Sequence, residues 1–240
     1  MNLATARRVP LDMHIRVAIG ALFALAATAP RSAPAQTTVL DEGSFTVTRS
    51  GRTGREDFRI VRVVSAATTS LVGTGTIVNG TSRVVSVVRT DTSGVPVDFQ
   101  LEGREANEVR ERVTIQATGD RLAARSQSAR GESAREYFLR PGMTVFDDEF
   151  AHQYFFLTLQ RRDAVAAVLP RRNELTQLHV VTQADESIEI AGTHVVARRY
   201  VVNGAGAARQ LWTDSKGRVL RVEAPELAFI AVRDALPAGS

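Results

Sequence analysis

Apolar and polar residues alternate along most of the chain from Ser44 onward. In the clearest stretch, residues 95–101, the apolar side chains point one way and their neighbours the other: Val95, Val97, Phe99 and Leu101 against Pro96, Asp98 and Gln100. A period of two is the pattern of a half-buried β-strand. Because Pro96 has no backbone N–H to donate, we expect this strand to begin at a sheet edge.

Similar strands follow one another about every ten residues, as they do in antiparallel sandwiches and barrels. Turn sequences such as Asn79-Gly80 and Asp214-Ser215-Lys216-Gly217 separate them. The first two predicted strands contain Phe45 and Phe58, respectively. The others cover residues 71–78, 83–90, 95–101, 108–116, 122–128, 136–140, 178–182, 187–190, 194–202, 209–213, 218–223 and 227–233. Strands and helices do not alternate, which argues against a doubly wound nucleotide-binding fold. We therefore predict a mainly β protein with one or two helices.

One stretch breaks the alternation and predicts a helix over residues 146–160. Phe146, Phe150, Tyr154 and Leu157 are spaced four, four and three residues apart, which places them on one helical face. Two aspartates near its start and an Arg-Arg pair at its end suit the helix dipole. The sequence thus predicts an amphipathic helix of about 14 residues, rich in aromatic side chains.

The first 35 residues have the pattern of a signal peptide. Arginines precede an apolar run over residues 17–27, and Ala33-Pro34-Ala35 resembles a cleavage site of small residues. The apolar run is well short of the roughly 20 residues that span a bilayer, although an uncut N-terminal anchor is the alternative. We expect export to the periplasm or the medium, one domain over residues 38–234 and a C-terminal tail over 235–240.

Net charge and cysteine content exclude several classes of function. The whole chain has a net charge of +4, and residues 1–35, with four Arg and one Asp, hold +3 of it, which leaves about +1 for the exported part. A near-neutral domain has no electrostatic attraction to nucleic acid, so we expect no nucleic-acid partner. The chain has no Cys, which excludes disulfides, thiolate metal sites and cysteine nucleophiles.

Candidate catalytic or metal-binding residues are few. Beyond the signal segment the histidines are His152, His179 and His194, and Asp148 lies four residues before His152. Two residues at that spacing need at least a third ligand to hold a metal, and a helix cap beside a surface or buried imidazole is the plainer interpretation. There is no G-x-S-x-G elbow. We expect no catalytic residues, no metal and no cofactor. An envelope hydrolase would need a cluster of histidines and carboxylates in one cleft, which proximity of the three histidines would indicate.

A groove for an apolar ligand is the binding site that the pattern favours. Gly73 and Gly75 lie on one face of a strand, where glycine marks a bend or a close backbone approach. They predict either a sheet that coils over the helix or a groove floor that admits a ligand. Aromatic residues would meet there as an ordinary core or as a partly unfilled cleft for an acyl chain. The predicted groove lining is Phe45, Phe58, Gly73, Gly75, Phe99, Phe150, Tyr154 and Phe155.

The C-terminal part of the chain carries a family resemblance. It reads Gln210-Leu211-Trp212-Thr213-Asp214 and then Gly217-Arg218-Val219-Leu220. This resembles exported bacterial proteins of unknown function in which a tryptophan–x–aspartate and glycine–arginine–leucine hairpin precedes a final strand, here with one residue interposed. Those proteins are similar in turn to the periplasmic lipoprotein carrier and sorting proteins. The resemblance implies an open, curved antiparallel half-barrel covered by helices, here wrapped around the one predicted helix.

The expected function combines these features. We predict an exported, non-enzymatic protein of the cell envelope that binds a lipid or a lipoprotein acyl chain in a hydrophobic groove, and that is not an integral membrane protein once the signal segment is removed. The alternative is a structural or protein-interaction module of the envelope, which would use a sheet edge or a loop to bind a protein partner. An envelope hydrolase is the third class.

Overall fold

The computed structural model describes residues 36–239, so the predicted signal peptide lies outside the described residues. In this part of the chain one α-helix, α1 (Tyr154–Leu159), and two 3₁₀ turns, Ala151–Gln153 and Pro225–Leu227, accompany sixteen strands. The strands are β1 (Gln36–Arg49), β2 (Arg52–Val64), β3 (Thr69–Asn79), β4 (Ser82–Asp91), β5 (Pro96–Glu105), β6 (Glu108–Thr118), β7 (Arg121–Ser128), β8 (Gly131–Phe138), β9 (Met143–Val145), β10 (Ala164–Leu169), β11 (Glu174–Thr182), β12 (Glu186–Ile190), β13 (Thr193–Asn203), β14 (Arg209–Thr213), β15 (Val219–Ala224) and β16 (Phe229–Arg233).

The strands form one large sheet. Its order is β8-β7-β6-β5-β4-β3-β2-β1-β16-β15-β14-β13-β11-β10-β9, and β12 pairs with β13 beside this path. The first strand pairs with the last, with Phe45 opposite Arg233. All pairs are antiparallel except β9 with β10. The two edges, β8 and β9, come from the middle of the chain, and the sheet is curved but not closed into a barrel.

Tight turns at the predicted positions join the neighbouring strands. Gly51, Gly80 and Gly119 have φ angles of 78°, 58° and 61°, which glycine adopts without a steric penalty and which suit two-residue hairpins. The strands predicted between residues 44 and 140 and between 178 and 233 are present. The mainly β fold, an open curved antiparallel sheet around a helix, is therefore confirmed.

Three details of the strands differ from the predictions. The alternation does not reveal β9 or β10, because β10 reads Ala-Val-Ala-Ala-Val-Leu and is apolar on both faces, as strands buried on both sides are. The expected sheet edge at Pro96 is wrong, since β5 pairs with both β4 and β6; proline is tolerated there as the first residue of a strand. A bulge between Arg89 and Thr90 shifts the register beside it, and Val97 is exposed.

The predicted helix length of 14 residues is wrong. The chain forms a 3₁₀ turn at Ala151–Gln153 and becomes α-helical only over Tyr154–Leu159. Asp147 explains the late start, because its carboxylate accepts the backbone N–H of Glu149 at 3.1 Å, a local bond that competes with helix formation. Phe150 is extended, with φ −104° and ψ 114°.

The core has an inner and an outer part. The concave side of the sheet and the segment 143–157 share one large cluster of buried apolar residues. A smaller cluster on the outer side joins β12, β13, β14 and β15 through Ile188, Ile190, Ala197, Trp212 and Leu220. Trp212 is thus buried in this smaller cluster, on the outer side of the half-barrel. The helix itself lies on the inner side of the sheet and belongs to the large cluster.

Candidate functional site

The eight predicted groove residues meet, but the space among them is filled. Phe45, Phe99, Phe150 and Tyr154 are completely buried, and the rings of Phe45 and Phe58 stack with centroids 5.0 Å apart. All six aromatic residues of the set belong to the inner cluster. Their role in ligand binding stays a prediction.

Gly73 and Gly75 make room for the chain's own side chains. A Cβ atom on Gly73 would lie 2.8 Å from the ring of Phe156, and one on Gly75 would lie 2.4 Å from Cε1 of His152. Neither residue has a left-handed φ, so the need for glycine at these positions is steric. The close approach that the sequence predicted is thus made to the inner segment.

A buried carboxylate fixes the start of the helical segment. Glu56 accepts the backbone N–H groups of Ala151 at 2.7 Å and of His152 at 3.1 Å, and its Oε1 lies 2.6 Å from Nδ1 of His152. Both side chains are completely buried, and Nε2 of His152 has no partner among residues 36–239. Solvent does not reach this pair, so we assign it the role of an anchor for the segment.

A second set of buried charges holds the loop before the helix. Asp147 binds Arg171 at 2.8 Å, and Asp148 binds both Arg209 and Arg172. Burial raises the pKa of Asp147 above its usual value, against the opposing attraction of Arg171. Burial also raises the pKa of the Tyr154 hydroxyl far above its usual value.

The candidate metal and catalytic residues do not converge. Asp148 binds arginines and His152 binds Glu56, so the pair spaced by four residues does not form a joint site. His179 and His194 are exposed on β11 and β13. Within residues 36–239 there is no group of three His, Cys, Asp or Glu side chains that could hold a metal ion.

An open cavity of about 500 Å³ lies where α1 ends, and we call it the mouth cavity. Its apolar lining comes from the helix and from β11 and β13: Phe155, Leu157, Leu159, Val180 and Tyr200. The turn between β14 and β15 closes another side through Ser215, Lys216 and Gly217. Phe155 is the one predicted groove residue that lines this cavity. The size is typical of sites for small molecules, which span about 300–1,000 Å³.

The rim of the mouth cavity is cationic. Arg161, Arg162, Arg198 and Lys216 line it together with one carboxylate, Asp163, a net of three positive charges. The three arginines are exposed, and their side chains have no hydrogen bond or ion pair within residues 36–239. Lys216 donates a hydrogen bond to the carbonyl oxygen of Gly239 at 2.7 Å.

A second cavity, of about 470 Å³, lies at the other end of the strands. It is lined by the hairpin ends of β1 to β4, by Phe229 and by an ion pair between Arg49 and Glu149. Its charges balance, because Arg49 and Arg52 line it together with the carboxylates Glu105 and Glu149, and Glu149 also pairs with Arg171 at 3.2 Å. The two ends of the half-barrel therefore differ in their free charge.

Sequence reasoning missed Glu56, Arg209 and Arg198, although the strand pattern carries a signal for Glu56 and Arg198. Glu56 shares the strand face of Phe58 and Ile60, which are buried. Arg198 likewise shares the face of Tyr200 on β13. A charged residue in the apolar phase of a strand indicates an inner polar contact or a rim position, because unpaired charges are rarely buried.

The sequence matches no protein-family model and no curated protein. Among solved structures, the chain is similar to a beta-barrel-like protein of domain of unknown function DUF1849 from Brucella abortus, with a TM-score of 0.47 at 10% identity, over 80% of this chain and 94% of that chain. The described helices include none long and apolar enough to cross a bilayer.

Proposed function

We propose that the protein is exported to the cell envelope and binds a lipid or a lipoprotein acyl chain without catalysing a reaction. The observation that carries the proposal is the mouth cavity, an open space of about 500 Å³ in which a few apolar side chains of the helix and sheet adjoin an exposed lining that is more polar than apolar. Small-molecule sites are typically concave and lined by apolar and aromatic side chains with a few polar groups.

The proposed ligand position differs from the groove expected from sequence. Between the sheet and the segment 143–157 the aromatic rings pack on each other, and Gly73 and Gly75 touch that segment. An acyl chain would have to displace this packed core, at a cost of several kcal/mol. At the mouth it would contact Phe155 and Tyr200, which line a space that is already open.

Two sequence features support the envelope setting. The N-terminal pattern is that of a signal peptide, and the C-terminal hairpin resembles exported proteins that are similar to lipoprotein carriers. The helix count departs from those carriers, which cover their cavities with more helices. One short helix, α1, leaves the mouth cavity open on one side.

Filling the cavity tests the proposal. Val180 lines the mouth on the inner face of β11, while its neighbour Val181 points outward and is 45% exposed. Native mass spectrometry of the purified protein, with and without added dodecyl amphiphiles, would measure binding to V180W and to the control V181W. We expect V181W to bind like the wild type and V180W to lose binding. Wild-type protein that binds no amphiphile, or V180W that binds as well as V181W, would contradict the proposal.

The second candidate function is a protein-interaction module of the envelope. It is favoured by β8, an edge strand that pairs only with β7 among the described strands and is exposed along Gly131–Glu136. Such an edge can accept a strand from another protein. A pull-down would favour this function over the first if the protein captured a defined envelope protein without lipid. The Ala134→Pro variant should then fail to capture it.

A further inference from the structure

We infer that the ligand of the mouth cavity carries an anionic head group, a phosphate or a carboxylate, which Arg161, Arg162 and Arg198 bind. The inference rests on the proposed function and specifies its ligand as an anionic amphiphile. The apolar lining would hold the chain, and the arginines at the rim would hold the head group.

These three arginines differ from the arginines packed inside the fold, which have carboxylate partners. Elsewhere on the inner side of the fold, Arg171, Arg209 and Arg233 each bind carboxylates, including an Arg233–Asp41 pair at 2.7 Å. The arginines of the mouth have no such partner within residues 36–239. Their charges are thus available to a ligand.

The positive charges of the mouth cavity adjoin its apolar side chains. Arg198 and Tyr200 are two residues apart on the same face of β13 and both line the cavity. Arg161 and Arg162 follow the end of α1, whose residues Phe155 and Leu157 line the same space. Cationic and apolar groups therefore adjoin on both walls, which matches a molecule with an anionic end and an apolar chain.

Neutralisation of the helix end does not explain the arginine pair. Cationic side chains do favour the C-terminal end of a helix. However, α1 has only six residues, and neither arginine side chain donates to its carbonyl groups within the described part of the chain. Arg198 lies on a strand and has no such role. The planar guanidinium group, in contrast, binds phosphate and carboxylate with paired hydrogen bonds.

Calorimetric titration with three probes tests the inference. Dodecyl phosphate offers the chain and the charge, dodecyl maltoside offers the chain alone, and inorganic phosphate offers the charge alone. Both amphiphiles are used below their micelle concentrations. We expect dodecyl phosphate to bind at least about tenfold more tightly than either other probe, because charge-assisted hydrogen bonds and apolar burial then act together.

Variants at the rim locate the effect. R162Q/R198Q is expected to lose about tenfold or more in affinity for dodecyl phosphate and to keep its affinity for dodecyl maltoside. Arg161 is left unchanged because its backbone φ of 47° lies in the left-handed region, so a substitution there would also change the backbone strain. The matched control is R62Q/R83Q, which removes two exposed arginines without ion-pair partners from β2 and β4, outside the mouth cavity.

Three other results would overturn the inference, each for a different reason. Equal affinity for the two amphiphiles, with both lost in V180W, would overturn the anionic head group and leave the proposed function intact. Inorganic phosphate that binds as tightly as dodecyl phosphate would overturn the amphiphile in favour of a free anion. If neither amphiphile binds, the proposed function fails and the inference fails with it.

Discussion

Two groups of arginines on the inner side of the sheet have opposite surroundings. Arg209 is completely buried, binds Asp148 and donates to the carbonyl oxygens of Gly204 and Ala207 at 2.8 Å each. Arg162 and Arg198 are exposed at the mouth and have no ion-pair partner within residues 36–239. The same side chain thus stabilises the fold in one region and is free for a ligand in the other.

This contrast distinguishes arginines that stabilise the fold from arginines that are free to bind a ligand. A buried guanidinium group must be paired because the desolvation of an isolated charge costs several kcal/mol. An exposed one keeps its hydration and needs no partner. Stability measurements on matched variants should therefore distinguish the two groups before any ligand is known.

The largest effect is expected from Arg209. Its replacement, Arg209→Gln, leaves Asp148 with a weaker partner and two carbonyl groups without their donor, so we expect a loss of about 3–5 kcal/mol in the free energy of unfolding. Arg198→Gln should change it by less than about 0.5 kcal/mol. Urea unfolding followed by circular dichroism would measure both. Equal losses in the two variants would remove the distinction between the regions.

Glu56 should have the next largest effect. Glu56→Gln keeps the shape but replaces a carboxylate that binds Ala151 and His152, and hydrogen bonds to charged groups contribute about 1.5–3 kcal/mol. The control is Asp57→Asn on the outward face of the same strand, whose side chain is exposed. Thermal unfolding should show a lower Tm for Glu56→Gln alone. An unchanged Tm would contradict the anchoring role.

A methyl group at Gly75 probes the packing of the inner segment. Gly75→Ala would place Cβ against the ring of His152, and such overpacking costs about 1–3 kcal/mol. At Gly103, another strand glycine, the nearest atom to an added Cβ is 3.4 Å away, so Gly103→Ala should be nearly neutral. If Gly75→Ala unfolds at the same urea concentration as Gly103→Ala, the segment does not pack as tightly as described.

The smallest expected effect is a pH dependence from Asp147. Its pKa is raised in the folded protein, mainly by burial and against the attraction of Arg171. The folded state therefore keeps the proton when the unfolded state has lost it, and this contribution to stability declines as pH rises above about 4. Relative to the wild type, Asp147→Asn should lack that decline, and the exposed Asp120→Asn should retain it. Urea unfolding between pH 3.5 and 7 would test this, and identical slopes would contradict it.

The fold was more accessible to sequence reasoning than the site. Hairpin turns and alternating strands are local signals, and they predicted most of the sheet. The predicted helix was too long because the Asx turn at Asp147 has the sequence features of a helix start. The filling of the groove depends on which long-range partner occupies the space beside Gly73 and Gly75, and a sequence pattern does not specify it. Glu56 and Arg198 carried a usable signal, a charge in the apolar phase of a strand.

The inner segment is part of the core, and we propose that ligand binds at the mouth. Hydrogen exchange measured with and without dodecyl phosphate tests it most directly. We expect the amides of Ala151–Leu157 to stay strongly protected and unchanged, and protection to increase around residues 159–163 and 198–200. Loss of protection at Ala151–Leu157 on binding, with changes around Phe45, Phe58 and Phe99, would show that the ligand displaces the segment and would contradict the claim.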